Sequence, residues 1–580
     1  MPSLTSQFNW KIAGFAGQGI KNAGEMFSRL MCRWGWDIYD YTEFPSLIKG
    51  GHNTYQVLAS TTKAYCQEYP VDLLVCLSKN GLEFHKAELN GNSLVMADFA
   101  DEKIDLAQFD LPGRLVDVPF FGLAKESGSQ QRLIGNTVAI AASAAAVGIG
   151  LEEVQRLIAD TFAGKDSVIE INRKAAMAGY EFVRKLDLPK RDLVRQADPA
   201  RISLSGAEAI GLGAIAGGLQ FYCAYPMSPS TPILHYLAAK GDAVAMVVKQ
   251  SEEEIGAVNM ALGASFAGVR AMCGTAGGGF CLMTEALGYA GIAELPLVVV
   301  LAMRPGPAVG MPTWSSQADL YFAIYASQDE FPRVVLAPGD MQESFELTRR
   351  ALELAEAFQT PVIILTEKNL TEGRGTFIPL DTSFTNKRFG FIDTPKADET
   401  GFFPRHYPTD SGLSFRTRPG QPNGAFISTS YEHDRYGLTS ESETDRMEQM
   451  KKRFRKFEAM KKAILPQQQE MASGAKLGLI SFGATKGVVA AARQALEAAG
   501  ITSHWLHLSW LWPFPQPQVS KFITACDRVV VVENNFTGQL ANLITQQTGN
   551  AKLERLNKFD GRPFYPHEIV NYVKEEYEIR

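Results

Sequence analysis

The chain has 580 residues, more than one hydrophobic core accommodates, so several domains are expected. Its 46% apolar and 21% charged residues are ordinary for globular proteins. A formal net charge of −6 and a pI near 5.9 exclude a bulk electrostatic attraction to nucleic acids or anionic membranes, so neither is an expected partner.

Residues 1–186 are predicted to form a first α/β domain, with strand patterns at residues 10–13, 37–41, 55–58, 73–77, 93–97 and 114–118 and helix patterns at 20–36, 136–147 and 167–185. The first strand leads into GFAGQG, residues 14–19. This segment either cradles an anion with its backbone N–H groups or makes a tight strand-to-helix turn. It does not match G-x-G-x-x-G, so a dinucleotide site is not indicated. Lys49, in the loop at residues 45–54 after the second strand, either supplies a cation to the same anion or is solvated.

A charged linker with two prolines, residues 187–205, precedes a second predicted domain, residues 206–372. Strand patterns lie at residues 222–225, 243–248, 269–275, 295–303, 333–337 and 361–365, and helix patterns at 207–219, 233–240, 255–267, 280–292 and 341–356. Strands that alternate with helices at this spacing predict a parallel, doubly wound sheet.

Residues 373–473 are predicted to be an irregular connector that ends in an amphipathic helix, residues 445–462. The lysines and arginines of that helix are expected to form a solvated face. Residues 474–580 are predicted to form a third domain, with strands at residues 476–481, 503–508 and 528–532 and helices at 486–499 and 540–547. The fold class is therefore α/β, with three doubly wound domains.

The seven cysteines are scattered and include no C-x-x-C pair, so neither a disulfide framework nor a zinc or iron–sulfur site is indicated. The longest apolar run, residues 295–303, is far shorter than the roughly 20 residues of a membrane span. No apolar signal core is found at the N-terminus. We expect a cytoplasmic protein.

Three acids, Glu252, Glu253 and Glu254, come just before a predicted helix, and Gly277, Gly278 and Gly279 follow the next strand as a predicted loop. Both groups should lie at the carboxyl edge of the sheet, where open α/β sheets bind ligands. Acids in a first helical turn are stabilised by ~0.3–1 kcal/mol, so the run alone implies no catalysis. An acid packed there among apolar residues would have a raised pKa and could hold a proton on a ligand nitrogen.

Several segments resemble the α chain of the 2-oxoacid:ferredoxin oxidoreductases, which use thiamine diphosphate. These are AYPMSPSTP (residues 224–232), the stretch from EEEIGAVNMALGASFAG to LPLVVV (252–300) and GMPTWSSQADL (310–320). GFAGQGIKNAG and PSLIKGGHNT resemble the γ module of these enzymes, here fused ahead of the α chain. The C-terminal domain resembles their transketolase C-terminal-like domain. The fused order and EHDRYG (432–437) are most similar to the 2-oxoglutarate type.

The resemblance implies that residues 206–372 bind the pyrimidine of the cofactor. In related pyrimidine-binding modules a glutamate precedes a G-A-x-x-A-G segment by nine residues, and that segment begins here at Gly263. Glu254 is thereby implied to hydrogen-bond N1′ of the aminopyrimidine and to activate the cofactor, with Glu252 as the alternative. Gly277 and Gly278 are implied to line the cofactor site.

The same resemblance implies substrate-binding roles for Ser228 and Arg304, since a planar bidentate donor suits a carboxylate. Ser228 could instead cap a helix, and Arg304 could be a surface residue. Lys49 replaces the arginine usual in the R-G-G loop of the γ module. It keeps the charge, and binding of a coenzyme A phosphate there is a hypothesis.

A partner is also implied, because the chain has no G-D-G…N segment for the diphosphate and its metal. The two nearest matches, at Asp242 and Asp340, lack the final glycine. By the resemblance, a β subunit carries the diphosphate module, Mg2+ and at least one [4Fe–4S] cluster, in a dimer of αβ heterodimers. The expected reaction converts 2-oxoglutarate, coenzyme A and oxidised ferredoxin to succinyl-CoA, CO2 and reduced ferredoxin. The low-potential carrier would also permit the reverse reaction, a reductive carboxylation as in a reductive tricarboxylic acid cycle.

Three other hypotheses remain open. The first is the same class of enzyme acting on pyruvate, a branched-chain 2-oxoacid or an aryl pyruvate. The second is a stand-alone transketolase-like enzyme, which the missing diphosphate motif disfavours. The third is a non-catalytic Rossmann-like nucleotide-binding or scaffold protein, in which no single carboxylate would be essential.

Overall fold

The computed structural model of the protein describes residues 6–46, 51–104, 109–189, 191–197, 201–378 and 387–576. Lys49 lies outside these described residues. The chain divides into two compact units, Met1–Leu204 with Gly373–Pro379, and Ser205–Glu372 with Leu380–Arg580.

The first unit is built on an eight-stranded mixed sheet, whose strands are β1 (Gln7–Phe15), β2 (Asp37–Glu43), β3 (His52–Ser60), β4 (Leu73–Cys76), β5 (Leu94–Ala97), β6 (Arg114–Asp117), β7 (Ile202–Ser205) and, from later in the chain, β14 (Arg374–Phe377). Its helices are α1 (Ile20–Arg33), α2 (Lys79–Phe84), α3 (Phe99–Glu102), α4 (Phe120–Glu126), α5 (Gly135–Ala146), α6 (Leu151–Thr161) and α7 (Asp166–Arg184). The strand order is β6-β5-β4-β1-β3-β2-β14-β7. β1 pairs in parallel with β4 and antiparallel with β3.

The GFAGQG segment forms the turn from β1 to α1. The side chain of Gln18 stabilises this turn. Its Oε1 accepts a hydrogen bond from the Phe15 N–H (2.6 Å), and its Nε2 donates to the Leu77 carbonyl (3.1 Å). Gly17 and Gly19 have φ angles of 91° and 74°, which glycine adopts without strain. The turn is therefore tight and internally hydrogen-bonded.

The second unit contains a seven-stranded sheet, formed by β8 (Phe221–Ala224), β9 (Val247–Gln250), β10 (Ala271–Thr275), β11 (Leu297–Met303), β12 (Val334–Leu336), β13 (Pro361–Glu367) and β18 (Trp510–Trp512). Its helices are α8 (Gly206–Ala216), α9 (Thr231–Lys240), α10 (Glu254–Phe266), α11 (Gly277–Ile292), α12 (Leu320–Tyr325), α13 (Met341–Phe358) and α14 (Lys368–Thr371). The order is β18-β12-β13-β11-β10-β8-β9, and only the β12–β18 pairing is antiparallel. Every residue of β11 is buried, as expected for a parallel strand covered on both faces.

A five-stranded sheet completes this unit, with strands β15 (Gln468–Glu470), β16 (Leu477–Phe482), β17 (Ser503–Leu508), β19 (Arg528–Glu533) and β20 (Glu554–Asn557). The helices of this region are α15 (Glu443–Lys462), α16 (Thr485–Ala498), α17 (Gln516–Thr524), α18 (Gln539–Thr548) and α19 (Pro566–Glu576). The order is β15-β17-β16-β19-β20. Buried residues of both sheets, such as Leu301 and Phe482, belong to one apolar core. The three sheets confirm the predicted α/β class.

One predicted strand is displaced. Residues 243–248 were expected to be a strand, but β9 begins only at Val247. A 3-10 turn, Asp242–Val244, precedes it, and Ala245 has a φ angle of 51°. The left-handed backbone conformation of Ala245 is incompatible with a β-strand, so the extended segment begins only after this residue.

The predicted solvated face of α15 is wrong. Lys452, Arg453 and Lys456 are buried, whereas Met447, an apolar residue of this predicted amphipathic helix, is 53% exposed. The ammonium groups of Lys452 and Lys456 both pair with the buried carboxylate of Glu294. Their acidic partner lies far away in the sequence, so the periodicity of the helix alone could not reveal it.

Within the described ranges, none of the helices combines the length and apolarity needed to cross a membrane.

Candidate active site

Apart from Lys49, which is outside the described residues, the predicted site residues lie at the carboxyl edge of the seven-stranded sheet. Residues 225–230 follow β8, residues 251–253 follow β9, and residues 304–319 follow β11. Because β11, β10, β8 and β9 are consecutive neighbours in the sheet, these loops come together there.

The three consecutive acids differ in their environments. Glu253 is the N-cap of α10, and its carboxylate accepts hydrogen bonds from the N–H groups of Ile255 (2.6 Å) and Gly256. Glu252 is exposed. Glu254, the first residue of the helix, is only 4% exposed, and burial raises the pKa of its carboxyl. Among the described residues its buried Oε1 has no hydrogen-bond partner. A buried polar atom of this kind needs a partner, so Glu254 is suited to bind a ligand.

The loop predicted at Gly277, Gly278 and Gly279 is wrong, because these residues form the first turn of α11. A Cβ atom at Gly279 would lie 2.5 Å from Glu254 Oε1 and still closer to Thr275 Oγ1. A Cβ atom at Gly278 would be 3.8 Å from its nearest neighbour, the carbonyl oxygen of Ala308. Gly279 is thus required for the close approach of Glu254 to α11.

Arg304 and Ser228, predicted from separate loops, are in contact. The Arg304 Nη1 donates a 2.7 Å hydrogen bond to the backbone carbonyl of Ser228. Arg304 is partly buried, so it is not a freely solvated surface residue. Ser228 does not cap a helix, since α9 begins at Thr231 with Ser230 at its N-cap. The contact uses the carbonyl of Ser228 and leaves its hydroxyl free of Arg304.

Asp319 is a site residue that sequence reasoning missed. Its Oδ2 lies 2.8 Å from the position of a Cβ at Gly277, so it faces the first turn of α11. Burial raises the pKa of Asp319 to about 6, and the nearby positive charge of Arg304 opposes the rise. A single acid in a polar loop gives no periodic signal, and only the resemblance of GMPTWSSQADL pointed to this segment.

The loop that carries Asp319 is held by the five-stranded sheet. The buried side chain of Gln317 donates from Nε2 to the Phe482 carbonyl (2.8 Å) and accepts at Oε1 from the Asn534 N–H (3.0 Å). The Gln317 N–H in turn donates to the Asn534 carbonyl (2.7 Å). The C-terminal region therefore fixes one wall of the candidate site.

The two G-D segments have local structural roles. Asp340 caps α13 by accepting from the Glu343 N–H (2.8 Å), and it pairs with Lys486 (2.6 Å). Asp242 belongs to the 3-10 turn that precedes β9. No group of three or more potential metal-ligating side chains is found in the part of the chain that the structure describes.

Comparison with protein families gives three consecutive matches. Residues 9–182 match a model described as pyruvate ferredoxin/flavodoxin oxidoreductase. Residues 212–453 match one described as pyruvate flavodoxin/ferredoxin oxidoreductase, thiamine diP-bdg. Residues 475–569 match one described as pyruvate:ferredoxin oxidoreductase core domain II.

Two of the three similar proteins described here match nearly the whole chain. The α subunit of 2-oxoacid:ferredoxin oxidoreductase 2 from Aeropyrum pernix is 30% identical, covering 97% of this chain and 96% of its own. The 2-oxoglutarate synthase subunit KorA from Methanothermobacter thermautotrophicus is 32% identical over 64% of this chain and 97% of its own. A solved structure of 2-oxoglutarate:ferredoxin oxidoreductase from Magnetococcus marinus, with 2-oxoglutarate, coenzyme A and succinyl-CoA bound, matches with a TM-score of 0.91 and 32% identity, covering 99% of this chain and 100% of that chain.

Proposed function

This chain belongs to the 2-oxoacid:ferredoxin oxidoreductase family, and we propose that it is the α subunit, with a fused γ domain, of an enzyme that oxidises 2-oxoglutarate. The proposed reaction converts 2-oxoglutarate and coenzyme A to succinyl-CoA and CO2, and the two electrons released pass to ferredoxin. Reductive carboxylation is the reverse of the same reaction.

The observation that carries this proposal is the environment of Glu254. Its carboxyl is buried at the start of α10, faces the first turn of α11 and leaves Oε1 without a partner among the described residues. A ring nitrogen of a bound pyrimidine would satisfy this oxygen. The match of residues 212–453 to a thiamine diphosphate-binding family model supports the same assignment.

When bound, thiamine diphosphate supplies the carbanion-stabilising chemistry that breaks the bond between C1 and C2 of a 2-oxoacid. Glu254 holds a proton between its carboxyl and the pyrimidine nitrogen, a role that a raised pKa favours. One amino group of Arg304 donates to the Ser228 carbonyl, and this contact orients the guanidinium. The other N–H groups of Arg304 bind the substrate carboxylate. The Ser228 hydroxyl is then available to the substrate. Gly277 and Gly278, in the first turn of α11, line the cofactor site.

The choice of 2-oxoglutarate rests on relatives. A 2-oxoglutarate synthase subunit is 32% identical, and 2-oxoglutarate is bound in the similar Magnetococcus marinus enzyme. Coenzyme A is bound in that enzyme as well, which supports it as the acyl acceptor here. Lys49, outside the described residues, is proposed to bind a coenzyme A phosphate. Replacing Lys49 with alanine should raise the KM for coenzyme A, and an unchanged KM would refute this role.

A β subunit is the proposed partner, because several relatives are named α subunits. That subunit would carry the diphosphate module, Mg2+ and a [4Fe–4S] cluster. A cytoplasmic dimer of αβ heterodimers that donates electrons to ferredoxin is the assembly we propose.

The proposal is tested by co-expressing this chain with its β partner and measuring ferredoxin reduction with a panel of 2-oxoacids. We expect 2-oxoglutarate with coenzyme A to give the highest kcat/KM and succinyl-CoA as the product. Faster turnover of pyruvate or a branched-chain 2-oxoacid would replace the proposed substrate while keeping the enzyme class. No turnover of any 2-oxoacid by a cofactor-loaded complex would refute the class.

A further inference from the structure

Three arginines surround the ring of Phe391 in the connector that follows β14. The guanidinium carbons of Arg388, Arg416 and Arg418 lie 5.1, 4.4 and 4.1 Å from the centroid of this ring. The face of a phenyl ring attracts cations through its quadrupole, but it carries no net charge. The ring therefore orders the three guanidinium groups without neutralising them. These four residues are called the Phe391 cluster below.

Gly268 holds the Phe391 cluster at the amino edge of the seven-stranded sheet, just before β10 begins. Its carbonyl oxygen accepts a 2.7 Å hydrogen bond from Nη2 of Arg388. A Cβ atom at Gly268 would lie 3.2 Å from Cγ of Arg418 and 3.4 Å from Cε1 of Phe391. The chain thus packs both side chains directly over this glycine. The candidate active site lies at the carboxyl edge, so the cluster is at the opposite edge of the same sheet.

One buried carboxylate compensates these arginines only in part. Glu356, 2% exposed, accepts hydrogen bonds from Nε (2.9 Å) and Nη2 (2.6 Å) of Arg388 and from Nη2 of Arg416 (3.4 Å). The same carboxylate also pairs with Arg270 (2.9 Å). Within the described ranges, Glu356 is the only carboxylate that forms an ion pair with an arginine of the cluster, and Arg418 forms none. Three guanidinium groups that share one carboxylate leave an excess of positive charge.

Several N–H donors of the cluster have no acceptor. Arg416 is 5% exposed, and its buried Nε has no hydrogen-bond partner among the residues that the structure describes. Burial lowers the pKa of Arg416 to about 9, and the positive charges of the neighbouring arginines act in the same direction. An arginine nevertheless keeps its proton in a protein, so its charge has to be met by an anion. Arg418 is exposed, and its guanidinium contacts the Phe391 ring.

We propose that the Phe391 cluster binds a phosphate group, either as inorganic phosphate or as part of a small phosphomonoester. A guanidinium presents parallel N–H donors that match pairs of phosphate oxygens. A phosphate dianion also balances more of the excess charge than a single carboxylate does. Arg388, whose side chain is 30% exposed, and Arg418 contact the ligand from the solvent side. Arg416 lies deeper, where a small anion fits better than the surface of an acidic protein.

The direct test is calorimetric titration of the full-length chain with inorganic phosphate, at an ionic strength held near about 0.15 M with sodium chloride. We expect saturable binding by the wild type and binding at least about tenfold weaker by Arg418→Gln, which loses charged hydrogen bonds to the ligand. Arg435→Gln is the matched control, since Arg435 is also an exposed arginine of the connector, 4.8 Å from the ring of Tyr436. It should bind phosphate as the wild type does.

Further titrations identify the source of the phosphate. A sugar phosphate or a nucleoside monophosphate that binds more tightly than inorganic phosphate supports a phosphomonoester as the ligand, and equal affinities support the free ion. Binding of a polyglutamate peptide without binding of any phosphate would replace the small anion with an acidic protein and overturn the proposal. No saturable binding by the wild type, or equal binding by Arg418→Gln, would overturn it as well. None of these results bears on the 2-oxoacid reaction proposed above.

Discussion

The Oε1 atom of Glu254 lies 2.5 Å from the position that a Cβ atom would occupy at Gly279. The first turns of α10 and α11 therefore pack against each other, and the absence of a side chain at Gly279 leaves room for the carboxyl of Glu254. This relationship separates Glu254 from Glu252 and Glu253, which adjoin it in the sequence. It also leads to a prediction that two neighbouring glycines respond differently to the same substitution.

Gly279→Ala should destabilise the protein, whereas Gly278→Ala should leave its stability nearly unchanged. A methyl group at Gly279 would clash with the buried side chains of Thr275 and Glu254, and overpacking of this kind costs about 1–3 kcal/mol. At Gly278 the nearest atom is 3.8 Å away, an ordinary contact. Thermal stability should be measured for both variants. Equal effects would show that Gly279 does not make room for Glu254.

Arg304→Lys should raise the KM for the 2-oxoacid by roughly 10–100-fold, with a smaller change in kcat. Lysine keeps the charge but cannot both donate to the Ser228 carbonyl and present two parallel N–H groups to a carboxylate. The measurement is steady-state ferredoxin reduction with varied 2-oxoglutarate. Arg349→Lys, at an ion pair on the surface of α13, is the control and should leave KM unchanged. An unaltered KM in Arg304→Lys would exclude Arg304 from substrate binding.

Glu294→Gln should destabilise the protein far more than Lys452→Met. The glutamine variant leaves two buried ammonium groups without a counter-charge, which costs about 3–5 kcal/mol. The methionine variant keeps the pair of Glu294 with Lys456. It also removes an amine whose pKa is already lowered to about 7 by burial. Thermal unfolding of the two variants is the measurement, and the reverse order of stability would contradict this account of the cluster.

Glu367→Gln should change how stability depends on pH. Burial raises the pKa of Glu367 to about 8, although hydrogen bonds from Gln317 and the Ala484 backbone oppose the rise. Between the unfolded pKa of about 4.3 and pH 8, the folded state binds more protons than the unfolded state. The contribution of Glu367 to stability therefore falls as pH rises, by up to about 1.4 kcal/mol per pH unit.

Glutamine is neutral at every pH and should remove this loss. Melting temperatures at pH 6 and pH 9 are the measurement, and the stability of the variant relative to the wild type should be clearly greater at pH 9 than at pH 6. The exposed Glu285→Gln is the matched control and should follow the wild type at both values. A variant equally stable relative to the wild type at both pH values would show that Glu367 is ionised in the folded protein.

Local patterns predicted much of the fold. The buried strand β11 and the helix α10 were located to within a few residues, because an uninterrupted apolar run and a small-residue helix pattern are properties of adjacent residues. The short strands β18 and β20 were missed. Each has only three or four residues and exists because it pairs with a strand from elsewhere in the chain.

In the candidate site, too, residues within local motifs were predicted and residues that depend on distant contacts were missed. Ser228, Glu254 and Arg304 were identified through a family resemblance in local motifs, and the structure brings them to one sheet edge. Asp319 was missed because its importance depends on Arg304 and on the glycine turn of α11, neither of which is near it in the sequence. The inward-facing lysines of α15 were misjudged for the same reason, since their partner Glu294 lies more than a hundred residues earlier.

The most direct test of the central claim is turnover of the αβ complex with Glu254→Gln. Glutamine has nearly the same shape but cannot exchange a proton with a pyrimidine nitrogen, so ferredoxin reduction with 2-oxoglutarate and coenzyme A should fall by about 10²–10⁴-fold. Glu252→Gln, at an exposed position, should retain wild-type activity, and both variants should assemble with the β subunit. A Glu254→Gln complex that keeps more than a tenth of wild-type turnover would contradict the assignment of Glu254 as the cofactor-activating residue.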